Sequence, residues 1–286
     1  YVAFIDNDDG AILRLFDPES GKMQIHQLVC GEDSIHTEPA SRVDQIYSTA
    51  DGDDFYVMFG FFDTCMQRWD TQKMTPLWSS EVPDMPPDFE DAILVTEQAL
   101  YLSEGNALVS LNAKTGELHT ILERKDEDDM LVPLAVVEED LLVRSAHRQE
   151  FKSFEILRVH KSSGEIVWRF DLGTALPLDP PNAAFPILDE NTSVWTWHIV
   201  GDELLVLRFT ADKISRIKFS GAITLEWIDL QTGKVNNDRV TSLNITDKFI
   251  NVPELTLWHQ HTLWVSTEGR LLGLDATTGE IFYRWP

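Results

Sequence analysis

Short apolar runs recur along the chain and are separated by turns rich in Asp, Asn and Gly. The runs contain many β-branched, aromatic and Leu residues, which is typical of buried strands. No long window shows the 3.6-residue spacing of an amphipathic helix, and the best helical candidate, 84–91, is interrupted by two prolines. The pattern therefore predicts an all-β protein, with apolar strands at 2–5, 55–58, 99–102, 141–143, 204–207 and 262–266.

Each apolar strand is followed by a turn, a second strand of alternating character and then a turn with a recurring motif. The motif is an Asp, Asn or His, three further residues, and a Gly at position 21, 116, 164, 233 or 279. A short polar side chain can accept hydrogen bonds from backbone N–H groups two or three residues later, and Gly supplies a positive φ. We expect a large aromatic residue four positions after the Gly, such as Trp168 or Tyr283, to pack over the neighbouring unit.

The spacing of these turns indicates an array of one supersecondary unit. A copy that has lost its Gly lies at 55–78, which brings the count to six repeats of about 45–50 residues. The interval between Gly164 and Gly233 is longer, and we assign the additional residues, 210–221, to a lengthened hairpin. The fourth strand of a unit is expected just before each apolar run, at 91–96, 131–137, 194–200 and 254–258.

Four-stranded antiparallel units of this length, arranged radially, are the blades of a β-propeller. We therefore expect a single β-propeller domain over residues 1–286, as part of a longer polypeptide. Six blades, seven blades and a ring completed by sequence outside these residues remain alternatives.

The segment 271–283 resembles the quinoprotein-type (PQQ-like) repeat, Leu-x-Ala-Leu-Asp-x-x-Thr-Gly-Lys-x-x-Trp, and 157–168 matches it at Gly164 and Trp168. That family includes dehydrogenases that bind pyrroloquinoline quinone and calcium, and non-catalytic propellers that bind other proteins. The dehydrogenases resemble one another in having adjacent cysteines beneath the quinone, whereas Cys30 and Cys65 are far apart in this sequence. The resemblance therefore implies a propeller of the protein-binding kind, without a cofactor.

The chain is strongly acidic, with 48 acidic and 23 basic residues and a formal net charge of −25. This charge disfavours nucleic acid, which is bound through Lys and Arg, and it disfavours contact with an anionic membrane surface. No run approaches the ~20 apolar residues of a membrane-spanning helix. The compartment stays open between the cytoplasm and an exported location.

Several polar clusters could in principle carry chemistry, but each has a simpler interpretation. His259 and His261 could offer two metal nitrogens, yet no third ligand is nearby and we interpret them as surface histidines. The acidic segments 6–10 and 51–54 lack the spacing of a calcium loop and are interpreted as hairpin turns. The run 126–129 is expected to be a solvated loop rather than a catalytic pair of carboxylates.

Two further expectations concern covalent linkage and chain connection. Cys30 and Cys65 are expected to be two unpaired thiols, although adjacent blades could bring them together. The proline-rich segment 177–186 is expected to be a rigid link between two repeats.

The best candidate for partner binding is the predicted hairpin 210–221, which carries Lys213, Arg216 and Lys218 on an otherwise acidic chain. A lengthened loop that projects from a regular array is a frequent site of contact. We expect a non-enzymatic scaffold that binds a partner protein or other domains of the same chain. The alternatives are a quinone-dependent or other ligand-binding enzyme that uses the central funnel, and a ligand-binding sensory domain.

Overall fold

The computed structural model describes residues 2–6, 12–30, 45–49, 52, 54–60, 63–83, 93–126, 129–147, 154–173, 176–177, 193–215, 218–239, 241–249, 255–267, 270–275 and 280–285. The chain forms two compact units, Tyr1–Gln149 with Leu157–Val167, and Glu150–Ile156 with Trp168–Pro286. The described part consists of strands, turns and one short 3-10 helix, Asn237–Arg239. No helix in this part is long and apolar enough to cross a membrane.

The described strands form six sheets, which follow the six repeats of the sequence. The first three sheets are β1 (Val2–Asp6), β2 (Ile12–Asp17) and β3 (Lys22–Gln27); β4 (Gln45–Ser48), β5 (Asp54–Phe59), β6 (Asp63–Asp70) and β7 (Thr75–Pro83); and β8 (Leu94–Val95), β9 (Ala99–Glu104), β10 (Ala107–Asn112) and β11 (Leu118–Glu123). Neighbours in sequence are neighbours in each sheet, and the pairing is antiparallel.

The remaining three sheets continue this order, and the fifth has an additional strand. They are β12 (Asp129–Val137), β13 (Asp140–His147), β14 (Phe154–His160) and β15 (Ile166–Gly173); β16 (Leu176–Pro177), β17 (Ser193–Val200), β18 (Glu203–Ser215), β19 (Lys218–Asp229) and β20 (Thr241–Phe249); and β21 (Leu255–His259), β22 (Thr262–Thr267), β23 (Arg270–Asp275) and β24 (Ile281–Trp285). β16 pairs with β17 in parallel.

The predicted all-β class with four-stranded antiparallel units is confirmed. The strands expected before the apolar runs are present as β8, β12, β17 and β21, although β8 contains two residues only. The first sheet shows three strands in the described part of the chain. The number of blades and the single domain over residues 1–286 stay predictions.

The recurring turn closes in the same way in each repeat where it is described. The backbone N–H of Gly21, Gly116, Gly164 and Gly233 donates to the carbonyl oxygen four residues earlier, over 2.8 to 2.9 Å. All four glycines have a positive φ, between 68° and 72°. The side chains of Asp17, Asn112 and Asp229 accept backbone N–H groups inside the turn, as the motif predicts.

The repeat that has lost its Gly forms the same turn with a methionine. Met74 donates its N–H to the carbonyl oxygen of Asp70 over 2.9 Å and has a φ of 55°. Its side chain is only 4% exposed and packs among Leu28, Trp69 and other residues of the first two sheets. The loss of Gly therefore does not change the turn, because burial of the methionine side chain compensates for the backbone strain.

Two tryptophans, each four residues after the turn residue, connect consecutive repeats. The indole of Trp78 lies on Gly116 and that of Trp168 lies on Gly233, each so close that a Cβ on the glycine would be 2.6 Å from a ring atom. Their Nε1–H groups donate to the carbonyl oxygens of Ala113 and Leu230, over 2.9 and 2.8 Å. The expected packing of this aromatic residue over the neighbouring unit is confirmed for both.

The apolar side chains of consecutive sheets in the first unit form shared clusters. One cluster joins the first and second sheets through Leu13, Leu15, Val57 and Phe59. Similar clusters join the second sheet to the third and the third to β13 and β14. Because the central strands are covered on both faces, they are apolar without interruption, as in Leu100-Tyr-Leu102.

The expectation of two unpaired thiols was wrong, because Cys30 and Cys65 form a disulfide with Cα atoms 5.8 Å apart. Cys30 follows β3 in the first sheet, and Cys65 lies in β6 of the second. Both are within the cluster that the two sheets share, and their exposed fractions are 1% and 0%. Gln67 supports the same junction by donating its Nε2–H to the carbonyl oxygen of Val29 over 2.7 Å.

Candidate functional site

The fifth sheet contains the two longest strands of the described chain. β18 has 13 residues and β19 has 12, and their ladder runs from the pair Glu203–Asp229 to the pair Ser215–Lys218. The other described strands have two to nine residues. The predicted lengthening of this hairpin over residues 210–221 is therefore confirmed.

Two of the three predicted partner-binding residues lie in the outer part of this ladder. Lys213 in β18 pairs with Ser220, and Lys218 in β19 pairs with Ser215. Positions 213 and 215 are two residues apart on β18 and therefore share a face, and position 218 lies opposite 215. Positions 213 and 218 thus belong to the same face of the ladder. Arg216 lies outside the described residues. The role of these three residues in binding stays a prediction.

The outer part of the hairpin is paired differently along its two edges. β20 pairs with β19 as far as Phe219, whereas β17 pairs with β18 only as far as Thr210. Among the described strands, none pairs with the other edge of β18 over residues 211–215. The β18–β19 register shifts at Ala211 and Lys213, which places an irregularity next to this open edge.

The base of the hairpin is held by Arg208 of β18. Its Nε pairs with the carboxylate of Glu226 on β19, and its Nη1 and Nη2 donate to the carbonyl oxygens of Leu172 and Asp171 over 2.7 and 3.0 Å. The guanidinium carbon is also 5.6 Å from the centroid of the Phe170 ring. The planar guanidinium thus ties both strands of the hairpin to β15.

A second arginine fixes the start of β18. Arg239 of the 3-10 helix forms an ion pair with Glu203, and its guanidinium carbon is 3.9 Å from the centroid of the Trp227 ring. Asn236 donates a 3.4 Å hydrogen bond to the same carboxylate. These contacts hold the first residue of β18 against β19 through both charge and an aromatic face.

Neither arginine stands out in the sequence as a residue of this site. The signal was present for Arg208, because it directly follows the buried apolar run Leu204-Leu-Val-Leu207. A cation at that position needs a partner on a neighbouring strand. Arg239 gave no signal, because its contacts with Glu203 and Trp227 join residues that are distant in sequence.

The described residues of the other polar clusters lie in turns and at strand ends. His259 ends β21 and His261 lies in the following turn, and both side chains are exposed. Asp54 begins β5 and its carboxylate pairs with Arg68 over 2.7 Å. Asp129 begins β12 and accepts a 3.1 Å hydrogen bond from Arg124. The described residues contain no group of three His, Cys, Asp or Glu that could hold a metal ion.

Positions 7–10, 51, 53, 127 and 128 of these clusters lie outside the described residues, as does 178–186 of the proline-rich segment. Within the described turns, a hydrogen bond from the Ser20 hydroxyl, together with the Glu19 backbone, lowers the pKa of Asp17. The Lys73 backbone N–H similarly lowers the pKa of Asp70. In both cases the donors belong to the turn that the carboxylate closes, so these shifts reflect the closing of turns.

Neither a protein-family model nor a curated protein matches the chain. Among solved structures, it is similar to quinohemoprotein alcohol dehydrogenase from Comamonas testosteroni, with 13% identity and a TM-score of 0.50, over 86% of this chain and 43% of that one. A europium-containing methanol dehydrogenase aligns with 14% identity and a TM-score of 0.48, over 82% of this chain and 49% of that one. A β-propeller domain from Myceliophteria thermophila aligns with 12% identity and a TM-score of 0.45, over 99% and 82%.

The chain thus spans less than half the length of each of the two dehydrogenases it matches. At this level of identity the likeness concerns the fold alone. Together with the repeated four-stranded antiparallel sheets, it identifies a β-propeller with a quinoprotein-like fold.

Proposed function

We propose that the chain is a non-catalytic β-propeller module that binds a partner protein, or another domain, through the outer part of the β18–β19 hairpin. The observation that carries this proposal is the length of the hairpin. Its two strands continue past the last β17–β18 pair, at Thr210, while the repeats on either side keep strands of ordinary length. Extra length in one unit of a repeat array most often serves contact.

The anchoring of the hairpin supports this proposal. A projecting segment binds more tightly when its conformation is already set, because less conformational entropy is lost on binding. Arg208 and Arg239 hold the base of β18 and β19 by ion pairs, carbonyl contacts and aromatic faces. The outer residues are therefore presented from a rigid base.

The charge of the hairpin indicates how the partner is recognised. Lys213, Arg216 and Lys218 stand within six residues of one another on a chain of net charge −25. A carboxylate-bearing surface of the partner would pair with these three cations, and the acidic body of the chain would disfavour the same surface elsewhere. The partner class is thus a protein with a local acidic patch.

Contact through side chains is favoured over the addition of a strand to the open edge of β18. The bulge at Ala211 and Lys213 interrupts the regular ladder there, and a bulge or a Lys on an edge strand discourages pairing with another strand. We therefore place the recognition in the basic side chains rather than in the backbone of residues 211–215.

The test is a charge reversal of the hairpin in the full chain. Lys213→Glu, Arg216→Glu and Lys218→Glu together should abolish the capture of the partners that the unaltered chain retains in a quantitative pull-down. The matched control is Lys114→Glu, Lys125→Glu and Lys234→Glu, which makes the same change in net charge at exposed positions elsewhere. Retention of partners by the hairpin variant, or equal loss in the control, would contradict the proposed site.

The non-catalytic assignment has its own test. The purified chain is mixed with pyrroloquinoline quinone and calcium, and its absorbance and its turnover of alcohols and sugars are measured. No quinone spectrum on the protein and no turnover are expected. Either signal would replace the proposal with the enzyme alternative.

A further inference from the structure

The two cysteines of the chain meet inside the junction of the first and second sheets, and both sheets belong to the first compact unit. Cys30 and Cys65 are 1% and 0% exposed. The side chains that share their cluster are apolar, and Leu13, Phe59 and Trp69 among them are at most 3% exposed. Because apolar packing surrounds the bond, a dissolved oxidant or reductant cannot reach it while the junction is closed.

The polar groups beside the bond do not activate a thiol. The thiolate is the form that reacts, and it needs a neighbouring cation or base to persist in an apolar site. The Cys65 Sγ atom lies 3.3 Å from the hydroxyl oxygen of Ser79, and the amide of Gln67 donates to the carbonyl oxygen of Val29, next to Cys30. Both groups are neutral, so the two cysteines in a packed but reduced junction would be unreactive as well as unreachable.

The oxidation therefore precedes the closing of the junction and needs a second molecule. The chain has no third cysteine that could supply a disulfide by internal exchange. One cysteine thiolate attacks the disulfide of a thiol–disulfide oxidoreductase, and the other then displaces the catalyst from the mixed disulfide. The chain loses two electrons and two protons in total, and the disulfide of the catalyst is reduced to a dithiol.

We infer that the junction is an oxidative lock, and that the chain is a substrate of a thiol-oxidising catalyst in an exported compartment. The cytosol keeps thiols reduced, so a chain that folds there would enclose two thiols in the junction. In an oxidising compartment the bond forms on the open chain, and packing then protects it. Reductant reaches the closed lock only when the junction opens, so the bond is a permanent closure rather than a switch.

The first test compares two compartments. The full chain is produced in the bacterial cytosol and, behind a cleavable export signal, in the periplasm. Each sample is quenched with acid and unfolded, and its free thiols are counted by the mass shift from a maleimide-linked polyethylene glycol. The exported chain should have no free thiol and the cytosolic chain two. A disulfide in the cytosolic chain, or two thiols in the exported one, would overturn the inference.

The second test measures whether an oxidant reaches the junction after folding. Native cytosolic chain is incubated with oxidised glutathione, which should leave both thiols free, whereas refolding from urea with the same reagent should form the bond. The control is Lys73→Cys in a chain with Cys30→Ser and Cys65→Ser, because the side chain at 73 is 74% exposed. This cysteine should react about tenfold faster or more. Equal rates for the native chain and the control would contradict the order of events.

The third test uses the exported protein and does not depend on folding in the cytosol. Reduced glutathione should leave the bond intact in the native chain at a concentration that reduces it in urea. Gln67→Ala removes the amide that holds Val29, so the junction should open more often and the bond should be reduced faster. The control is Asn106→Ala, which removes an amide contact with the carbonyl oxygen of Arg124 in the third sheet and should leave the rate unchanged. Reduction as fast in the native chain as in urea would show an accessible switch instead of a lock.

Discussion

Five turns in the described part of the chain close with the same backbone hydrogen bond, and four of them have glycine at the position of positive φ. The fifth has Met74, which shows that the turn is specified by more than its glycine. The Asp70 carboxylate accepts the N–H groups of Gln72 and Lys73 over 2.8 and 2.9 Å, so the polar half of the motif is intact. The buried side chain of Met74 adds apolar contacts that offset the strain of a positive φ at a residue other than glycine.

Replacement of Met74 by glycine separates backbone strain from side-chain burial. Met74→Gly should relieve roughly 1 kcal/mol of left-handed strain and remove roughly 2–3 kcal/mol of buried apolar contact. We expect a net loss of about 1–2 kcal/mol of unfolding free energy, measured by urea denaturation. An increase in stability would show that the methionine is simply a tolerated defect.

The glycine positions allow a matched comparison between two turns. Gly21→Ala and Gly233→Ala both place a side chain at a φ of 68°, but only the second puts its Cβ 2.6 Å from the Trp168 ring. Gly21→Ala should cost about 1–2 kcal/mol from backbone strain alone. Gly233→Ala should cost about 1–3 kcal/mol more, because Trp168 must move. Equal costs in denaturation experiments would show that the tryptophan contact contributes little.

At the scale of elements, the β18–β19 hairpin depends on long-range contacts at its base. Arg208 contacts Glu226 across the hairpin and two carbonyl groups of β15. Its side chain is about one-fifth exposed, so the guanidinium is largely shielded from water. A hairpin of this length would otherwise be free to bend at its bulge.

Removal of the Arg208 guanidinium should loosen the hairpin. In Arg208→Met the carboxylate of Glu226 and the carbonyls of Leu172 and Asp171 lose their donor, at a cost of about 1–3 kcal/mol. Hydrogen exchange over residues 203–229 should accelerate in this variant, while exchange in β9 and β10 stays unchanged. Arg208→Lys keeps the charge but not the forked geometry, so it should give an intermediate rate. Unaltered exchange in both variants would show that the arginine does not set the rigidity of the hairpin.

β17 carries a titratable group whose protonation opposes folding. Burial lowers the pKa of His198 below its ordinary value of 6.5. Because the unfolded chain binds this proton more readily, the free energy of unfolding is unaffected above pH 6.5 and decreases as the pH falls below 6.5 towards the lower pKa of the folded state. His198→Gln should therefore lose stability less steeply over this range. An NMR titration midpoint for His198 at or above 6.5 would contradict this prediction.

At the scale of the whole molecule, the Cys30–Cys65 disulfide is the covalent link between the first and second sheets. The two sheets also share an apolar cluster, and both cysteines lie within it. The bond closes a loop with a sequence separation of 35. Constraining a loop of this size in the unfolded chain stabilises the folded state by about 4 kcal/mol.

Reduction should therefore lower the thermal midpoint of the chain. The variant with Cys30→Ser and Cys65→Ser should melt at about the temperature of the reduced parent, and added reductant should not change it further. Calorimetry in the presence and absence of reductant measures both effects. Two titratable thiols per chain in the unreduced native protein would show that the bond does not form.

The sequence predicted most of the fold because its signals are local. The predicted apolar runs form central strands, and the turn motif forms the same hydrogen-bonded turn in several repeats. The additional residues at 210–221 form the outer part of the β18–β19 hairpin. It did not predict the pairing of Cys30 with Cys65 or the partners of Arg208. Those depend on which strands meet between neighbouring sheets, and nothing in the local pattern specifies that.

The sequence by itself determined the all-β class, the repeating unit and the hairpin that breaks its regularity, because strand alternation and turn chemistry act over a few residues. Only the tertiary structure decided that a buried methionine replaces a turn glycine, and that two cysteines are bonded inside the junction of the first two sheets. Each of these depends on contact or exposure between segments far apart in the chain, and such proximity is a property of the packed molecule.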